Sequence, residues 1–275
     1  MEIAISIVMS DMEPLRRLGF GCPEPVEKPS TPQQHFVRDY SEHLARLRTK
    51  LQLDDAMRAA VGGEFEAVGR LELALLKQYE LGDEPAFIVD VGCGSGRLAA
   101  QLAASPNVRY VGTDIMPDLL SFAQRLCERP DWRFIPTNGC SIPVADNEAG
   151  YVCFFSVFTH LLHQETYRYL QEAKRVLKPG GLILFTFLEF RLPCHWAIFE
   201  RSLEAISKSA HLDQFMSRDA IEAWAEHLDL EIVQVVNGDM PHIPLSSPIA
   251  FEDGRVMEGM GNLGQSVAVL RRKQA

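Results

Sequence analysis

The pattern of apolar and polar positions changes near residue 86. Before it, apolar residues recur three and four apart, first Leu44, Leu47 and Leu51 and then Val68, Leu71 and Leu75. That spacing predicts amphipathic helices over His35 to Met57 and Phe65 to Tyr79, separated by Gly62-Gly63. After it come short runs rich in Val, Ile, Phe and Tyr: AFIVDV (86–91), RYVGTD (109–114), WRFIP (132–136), YVCFFSVF (151–158) and LILFTFL (182–188). Each reads as a strand. Helical patterns lie between them at about 97–104, 117–128 and 164–177, the second opened by Pro117 and the third stopped by KPGG at 178–181. Helices near 195–208 and 218–228, the latter with Ser217 as N-cap, and strands near 230–236 and 266–271 complete the series. Strands alternating with helices predict an α/β fold with a parallel sheet and right-handed crossovers, seven strands in all.

Outside that alternation, residues 1–34 carry five prolines, at 14, 23, 25, 29 and 32, and read as an extended arm. Residues 35–85 form a helical cap, and 86–275 a core interrupted at about 190–216 and 238–262. Connections as long as 238–262 commonly serve as lids or binding loops.

The first predicted strand runs into DVGCGSGRLA (90–99), a turn that brings backbone N–H groups close to a ligand. Counted from Gly94, the dinucleotide fingerprint G-x-G-x-x-G/A is met by Gly94, Gly96 and Ala99, so the turn by itself leaves NAD open. No P-loop motif occurs. Asp90, at a strand end, needs a cation or several donors, and a ligand ammonium would serve. Asp114 ends the second strand 20 residues beyond Gly94, where a carboxylate can accept both hydroxyls of a ribose.

The ordered set VDVGCGSGRLA, GTD (112–114), NGCSIP (138–143), FFSVFTHL (154–161) and EAKRVLKPGGLILFTF (172–187) resembles the class I S-adenosylmethionine-dependent methyltransferases over roughly 86–190. The resemblance implies a Rossmann-like, mostly parallel sheet with an antiparallel last strand and helices on both faces. It also implies S-adenosyl-L-methionine as cofactor and S-adenosyl-L-homocysteine as its product. Gly92, Cys93, Gly94 and Gly96 would then wrap the amino-acid half, Asp90 would receive its ammonium, and Asp114 with Ile115 would hold the ribose. Phe155 and Ser156 would meet the methionine part, and Phe65 and Gly69 would be lid contacts from the segment AVGGEFEAVGRLEL (60–73). Two positions depart from the family pattern. Asn138, followed by Gly139, stands where relatives carry an acid for the adenine amino group, and Gly150 stands where an Asp often opens the fourth strand.

Methyl transfer from a sulfonium needs an acceptor held at near-attack distance, about 3 to 3.5 Å, with water excluded. Where the acceptor has a proton to lose, a base helps, and His160 after the fourth strand is the first candidate, with Glu189 and His195 beyond the fifth. Trp196, Phe199, Phe215, Met216, Met240, Met257 and Met260 either build core or form an apolar pocket for a partly aromatic small molecule.

A net charge of −10 without a basic cluster argues against a nucleic-acid partner. Six scattered cysteines without metal-ligand spacing point to free thiols and no metal, and no apolar run is long enough to span a membrane. Together these lead to the expectation of a cytoplasmic enzyme methylating a small molecule on O or N. Oligomeric state, a homodimer included, stays open. So do three rival readings: a protein that binds the cofactor without methylating, a protein or RNA methyltransferase, and an NAD-linked dehydrogenase.

Overall fold

A computed structural model describes residues 35–137, 139–203 and 213–274, with the backbone alone described for 35–39. The Pro-rich arm read at 1–34, Asn138, and residues 204–212 of the helix expected near 195–208 lie outside the described residues.

Helices α1 (His35–Arg48), α2 (Leu53–Ala59) and α3 (Phe65–Gln78) precede the sheet. Then follow β1 (Ala86–Val91), α4 (Arg97–Leu102), β2 (Val108–Asp114), α5 (Pro117–Cys127), β3 (Arg133–Pro136), β4 (Ala149–Phe154), α6 (His163–Val176) and β5 (Leu177–Glu189). The chain ends with α7 (Pro193–Leu203), β6 (Phe215–Met216), α8 (Arg218–His227), β7 (Leu230–Val236), four two-residue strands β8 to β11 between Ile243 and Gly261, and β12 (Ser266–Arg272). The main sheet has the order β3-β2-β1-β4-β5-β12-β7, with β6 paired to the end of β5. β12 runs antiparallel to both its neighbours, and the other pairings are parallel. This is the Rossmann-like α/β architecture that the strand and helix alternation implied.

Both faces of the sheet are covered, so its central strands are apolar on both sides. Val89, Ile183, Phe185 and Phe187 pack with Leu170 and Ala173 of α6 and Ile221 of α8. Their neighbours Ile88, Leu182 and Leu184 point the other way, against Leu75 and Leu76 of α3 and Leu98 and Leu102 of α4. α1 and α2 form a smaller layer in which Leu44 and Met57 meet Leu119 and Phe122 of α5.

Three boundaries differ from the sequence expectation. The single helix read over 35–57 is two, broken by a turn and bend near residue 50. The strand expected through Phe158 stops at Phe154, because Ser156 adopts a left-handed φ of 59° that no strand accommodates. β5 begins five residues early, at Leu177, and runs through the KPGG segment.

The connection at 238–262 folds on itself: β8 pairs with β11 and β9 with β10. Ile249 packs against Ala67 and Leu71 of α3, so this segment covers the outer face of that helix.

Candidate active site

β1 and β2 deliver their acids to the carboxyl edge of the sheet, where ligands of open α/β folds bind. Asp90, Gly112 and Cys153 are in register across β2, β1 and β4, and Asp114 is the last residue of β2. After β1 the chain turns sharply through Gly92 and Gly94, with φ of 71° and 54°. Gly94 has a second reason to be glycine, since a Cβ there would lie 2.3 Å from Val61 Cγ1. The turn is fastened to β2 by the amides of Gly92 and Cys93, which donate to Thr113 O at 2.7 and 3.0 Å.

Gly94 N donates to Asp114 Oδ2 at 2.9 Å, and Met116 N donates to Oδ1 at 2.8 Å. Each carboxylate oxygen thus has one backbone partner and keeps acceptor capacity for another, since a carboxylate offers about four lone-pair sites. Asp90 is buried and accepts from Tyr110 Oη at 2.8 Å. Burial pushes Asp90 up to about 7, with the Tyr110 hydrogen bond opposing and Glu72 adding to the rise. Burial likewise pushes Asp114 up to about 6, against the amides of Met116 and Gly94.

Glu72 is the third acid of this wall. It sits on the packed side of α3, four residues after Val68 and three before Leu75, and is buried. Arg97, the first residue of α4, gives Nε to Glu72 Oε1 at 3.0 Å and bonds it again through Nη2. Its Nη1 reaches Gly62 O at 2.8 Å, which ties the α2–α3 connection to α4. Burial raises the Glu72 carboxyl and Arg97 opposes the rise. Among the described residues, three acids of this wall therefore face one guanidinium.

Two cavities meet at this edge and share Val61, Glu72, Arg97, Phe155, Ser156 and His160 in their walls. The first, about 120 Å³, brings together Asp90, Gly92, Cys93, Gly94, Asp114, Ile115, Phe155, Ser156 and His160, nine of the residues singled out in the sequence. It also takes in Tyr40, Leu119, Thr137 and Tyr169. The second is roomier, about 360 Å³, and adds the polar side chains of Thr159, Thr186, Asp213 and Gln265.

The remaining sequence candidates lie elsewhere. Gly96, φ 84°, caps α4 and abuts Ala123. Phe65 is buried under the Arg58 guanidinium, and Gly69 lets α3 approach the backbone of α4, where a Cβ would stand 2.8 Å from Arg97 O. Gly139 accepts from Tyr169 Oη at 3.1 Å through its carbonyl. Val61, Gly62, Gly63 and Val68 take the wall positions foreseen for Phe65 and Gly69.

Glu189 and His195 face inward, away from both walls. Glu189 Oε2 and Oε1 accept from Arg218 Nε and Nη2, each at 2.8 Å, and Oε1 also accepts from Ser266 Oγ. Burial works to raise this carboxyl, but the Arg218 and Ser266 hydrogen bonds outweigh it and hold it below its ordinary range. His195 is fully buried, with Nδ1 accepting from Glu189 N and Nε2 bonded to Gly264 O, each at 2.9 Å. Both nitrogens are used in joining β5 to the chain before β12. Of the later aromatic and methionine residues, Phe215 and Met216 are buried, while Trp196, Met240 and Met260 are exposed.

Sequence patterning missed Tyr40, Glu72, Arg97, Thr137, Tyr169 and Asp213. Glu72 left one signal, an acid in the apolar stripe of α3. Among the described residues no group of His, Cys, Asp or Glu is arranged to hold a metal, and no helix is long and apolar enough to cross a membrane.

Comparison with known proteins agrees with this geometry. Residues 89–185 match the family model described as a methyltransferase domain. Malonyl-[acyl-carrier protein] O-methyltransferase of Hahella chejuensis is 29% identical over 139 residues, covering 50% of this chain and 48% of that protein. Demethylmenaquinone methyltransferase of Chlorobaculum parvum is 33% identical over 105 residues, covering 38% and 42%. The chain thus spans about half the length of the curated relatives it matches. Magnesium protoporphyrin IX methyltransferase of Synechocystis, solved with bound S-adenosylhomocysteine, shares the fold at a TM-score of 0.57 and 12% identity, over 88% of this chain and 98% of that one. Residues 89–185 thus carry a methyltransferase domain, and the glycine turn and the two strand-end acids lie within it.

Proposed function

We propose that this protein transfers the methyl group of S-adenosylmethionine to a small organic acceptor. The observation that carries the reading is the charge of the first cavity, where, among the described residues, Asp90, Asp114 and Glu72 stand against Arg97. All three carboxyls are raised by burial, so the wall favours a ligand that brings positive charge. S-adenosylmethionine, with a sulfonium, an ammonium and one carboxylate, has a net positive charge and fits. The pyrophosphate of NAD would meet three acids, which disfavours the dehydrogenase reading.

When bound, S-adenosylmethionine supplies an electrophilic methyl group. Asp114 would accept the ribose hydroxyls on its free lone pairs, Asp90 would neutralise the ammonium, and the Gly92–Gly94 turn would admit the chain between them. Ile115, Leu119, Thr137 and Tyr169 would pack the adenine side, with Asn138 and Gly139 next to Thr137 in sequence. Phe155 and Ser156 separate the two cavities, and His160, in both walls, is positioned to take a proton from an acceptor in the second. Glu189 and His195 would act by holding the ends of β5 and β12 in place. The chain carries a net charge of −10, which supports a small acceptor over RNA.

The test is transfer of isotope-labelled methyl from S-adenosylmethionine to the low-molecular-mass fraction of a cell extract. A labelled small molecule supports the proposal. Label appearing only in protein or RNA would replace the acceptor class.

A further inference from the structure

The second cavity contains a charged group that the cofactor reading does not use. Asp213 Oδ1 lies 4.0 Å from His160 Nδ1, and both side chains are mostly shielded, with 32% and 18% exposure. Asp213 lines the second cavity only, whereas His160 lines both. Resting on the methyltransferase reading, we infer that Asp213 is a positioning residue. It orients His160 toward the acceptor and stabilises the imidazolium formed when His160 takes the acceptor's proton.

Three links fix this arrangement, although Asp213 and His160 are 53 residues apart. Gln214 N donates to Thr159 O at 2.7 Å, one residue away from each member of the pair. His163 Nε2 bonds Phe215 O at 3.0 Å. β6 pairs with β5, Leu188 opposite Phe215 and Glu189 opposite Met216, so the returning chain is anchored to the main sheet. His160 is braced from its own side by His160 N donating to Val157 O at 3.0 Å and by Thr159 Oγ1 donating to Ser156 O at 2.9 Å. The chain coming back from the 190–216 insertion thus delivers its carboxylate to the histidine at the boundary between the cavities.

Among the described residues, charged and titratable groups reach His160 from several elements. Tyr40 of α1 stands edge-on to its ring, with centroids 5.4 Å apart; Asp213 lies before β6; and Glu72 and Arg97 are paired in the shared wall. Glu72 and Arg97 offset each other, Asp90 and Asp114 share the first cavity with His160, and Asp213 adds a carboxylate 4.0 Å from the imidazole. A carboxylate there favours the imidazolium and raises the basicity of His160.

The geometry also defines the acceptor class. The acceptor carries an O–H or N–H and fits among the hydroxyl and amide groups of Thr159, Thr186 and Gln265. Its oxygen or nitrogen forms a bond to the methyl carbon while its proton passes to His160. The methyl–sulfur bond breaks, its electron pair stays on sulfur, and S-adenosylhomocysteine leaves as the neutral thioether.

The test is an NMR titration of His160 in the full chain, assigned with His160→Gln, in wild type, Asp213→Asn and Asp213→Glu. The expected result is a His160 pKa at least half a unit lower in Asp213→Asn and restored in Asp213→Glu. S-adenosylhomocysteine affinity should stay within twofold in both variants, which also shows that they fold. With labelled S-adenosylmethionine and the low-molecular-mass extract fraction, Asp213→Asn should form product about tenfold more slowly. An unchanged His160 titration in Asp213→Asn would overturn the pairing. Failure of wild type to label any small molecule would count against the methyltransferase reading, while the titration would still decide the pairing.

Discussion

Gly94 N and Asp114 Oδ2, 20 residues apart, are joined by a hydrogen bond of 2.9 Å. This bond closes the glycine turn after β1 onto the acid at the end of β2. A single substitution at either residue therefore disturbs both halves of the candidate cofactor site.

Asp114→Asn should weaken S-adenosylhomocysteine binding by roughly 10- to 100-fold. Hydrogen bonds to a charged group contribute about 1.5 to 3 kcal/mol, and the amide loses one acceptor position and the charge. Gly94→Ala should weaken it too, because its Cβ would need the space of Val61 in a left-handed backbone. Calorimetric titration of both variants checks this, and wild-type affinity in Asp114→Asn would remove the acid from the site.

The effect of pH on ligand stabilisation follows from the two raised carboxyls. Their folded pKa values, about 7 for Asp90 and about 6 for Asp114, lie above the ordinary carboxylate value. Their contribution to the ligand-free fold is therefore fully present below about pH 4 and is lost as pH rises through 6 to 7. A cationic ligand favours the ionised forms and reverses that loss. The Tm increase caused by S-adenosylmethionine should grow from pH 5.5 to pH 7.5, with net proton release on binding near pH 6.5. A Tm increase that shrinks over that range would contradict the assignment.

Glu72→Gln leaves Arg97 buried beside a neutral amide, with its bonds to Val61 O and Gly62 O retained. Breaking a buried ion pair costs about 3 to 5 kcal/mol, and a chain of this size loses roughly 2 °C of Tm or more per kcal/mol. Thermal unfolding should show a fall of several degrees, whereas the double variant Glu72→Leu with Arg97→Met should recover much of it.

Glu189→Gln should lower Tm by several degrees, because Arg218 loses its charged partner between β5 and α8. It should leave S-adenosylhomocysteine affinity within twofold. A large loss of affinity would contradict this purely structural role of Glu189.

The sheet was readable from sequence because its central strands are buried on both faces and therefore appear as unbroken apolar runs. The glycine turn was readable because left-handed backbone and close approach leave few choices of residue. The end of β4 was not, since Phe155 and Phe158 continue the apolar run while Ser156 bends the backbone out of it. Glu189 and His195 follow β5 in sequence just as His160 follows β4. Their partners, Arg218, Ser266 and Gly264, lie 29 to 77 residues away in the chain and turn them inward. Tyr40, Glu72 and Asp213 reach the cavities through packing of α1 and α3 and through the return to β6, contacts that no local pattern encodes.

The central claim is that a cavity walled by Asp90, Asp114 and Glu72 takes a cationic adenosine cofactor. Calorimetric titration at pH 7.5 with S-adenosylmethionine and, separately, NAD tests it most directly. The account predicts one site for S-adenosylmethionine and no heat with millimolar NAD. Binding of NAD without binding of S-adenosylmethionine would contradict it.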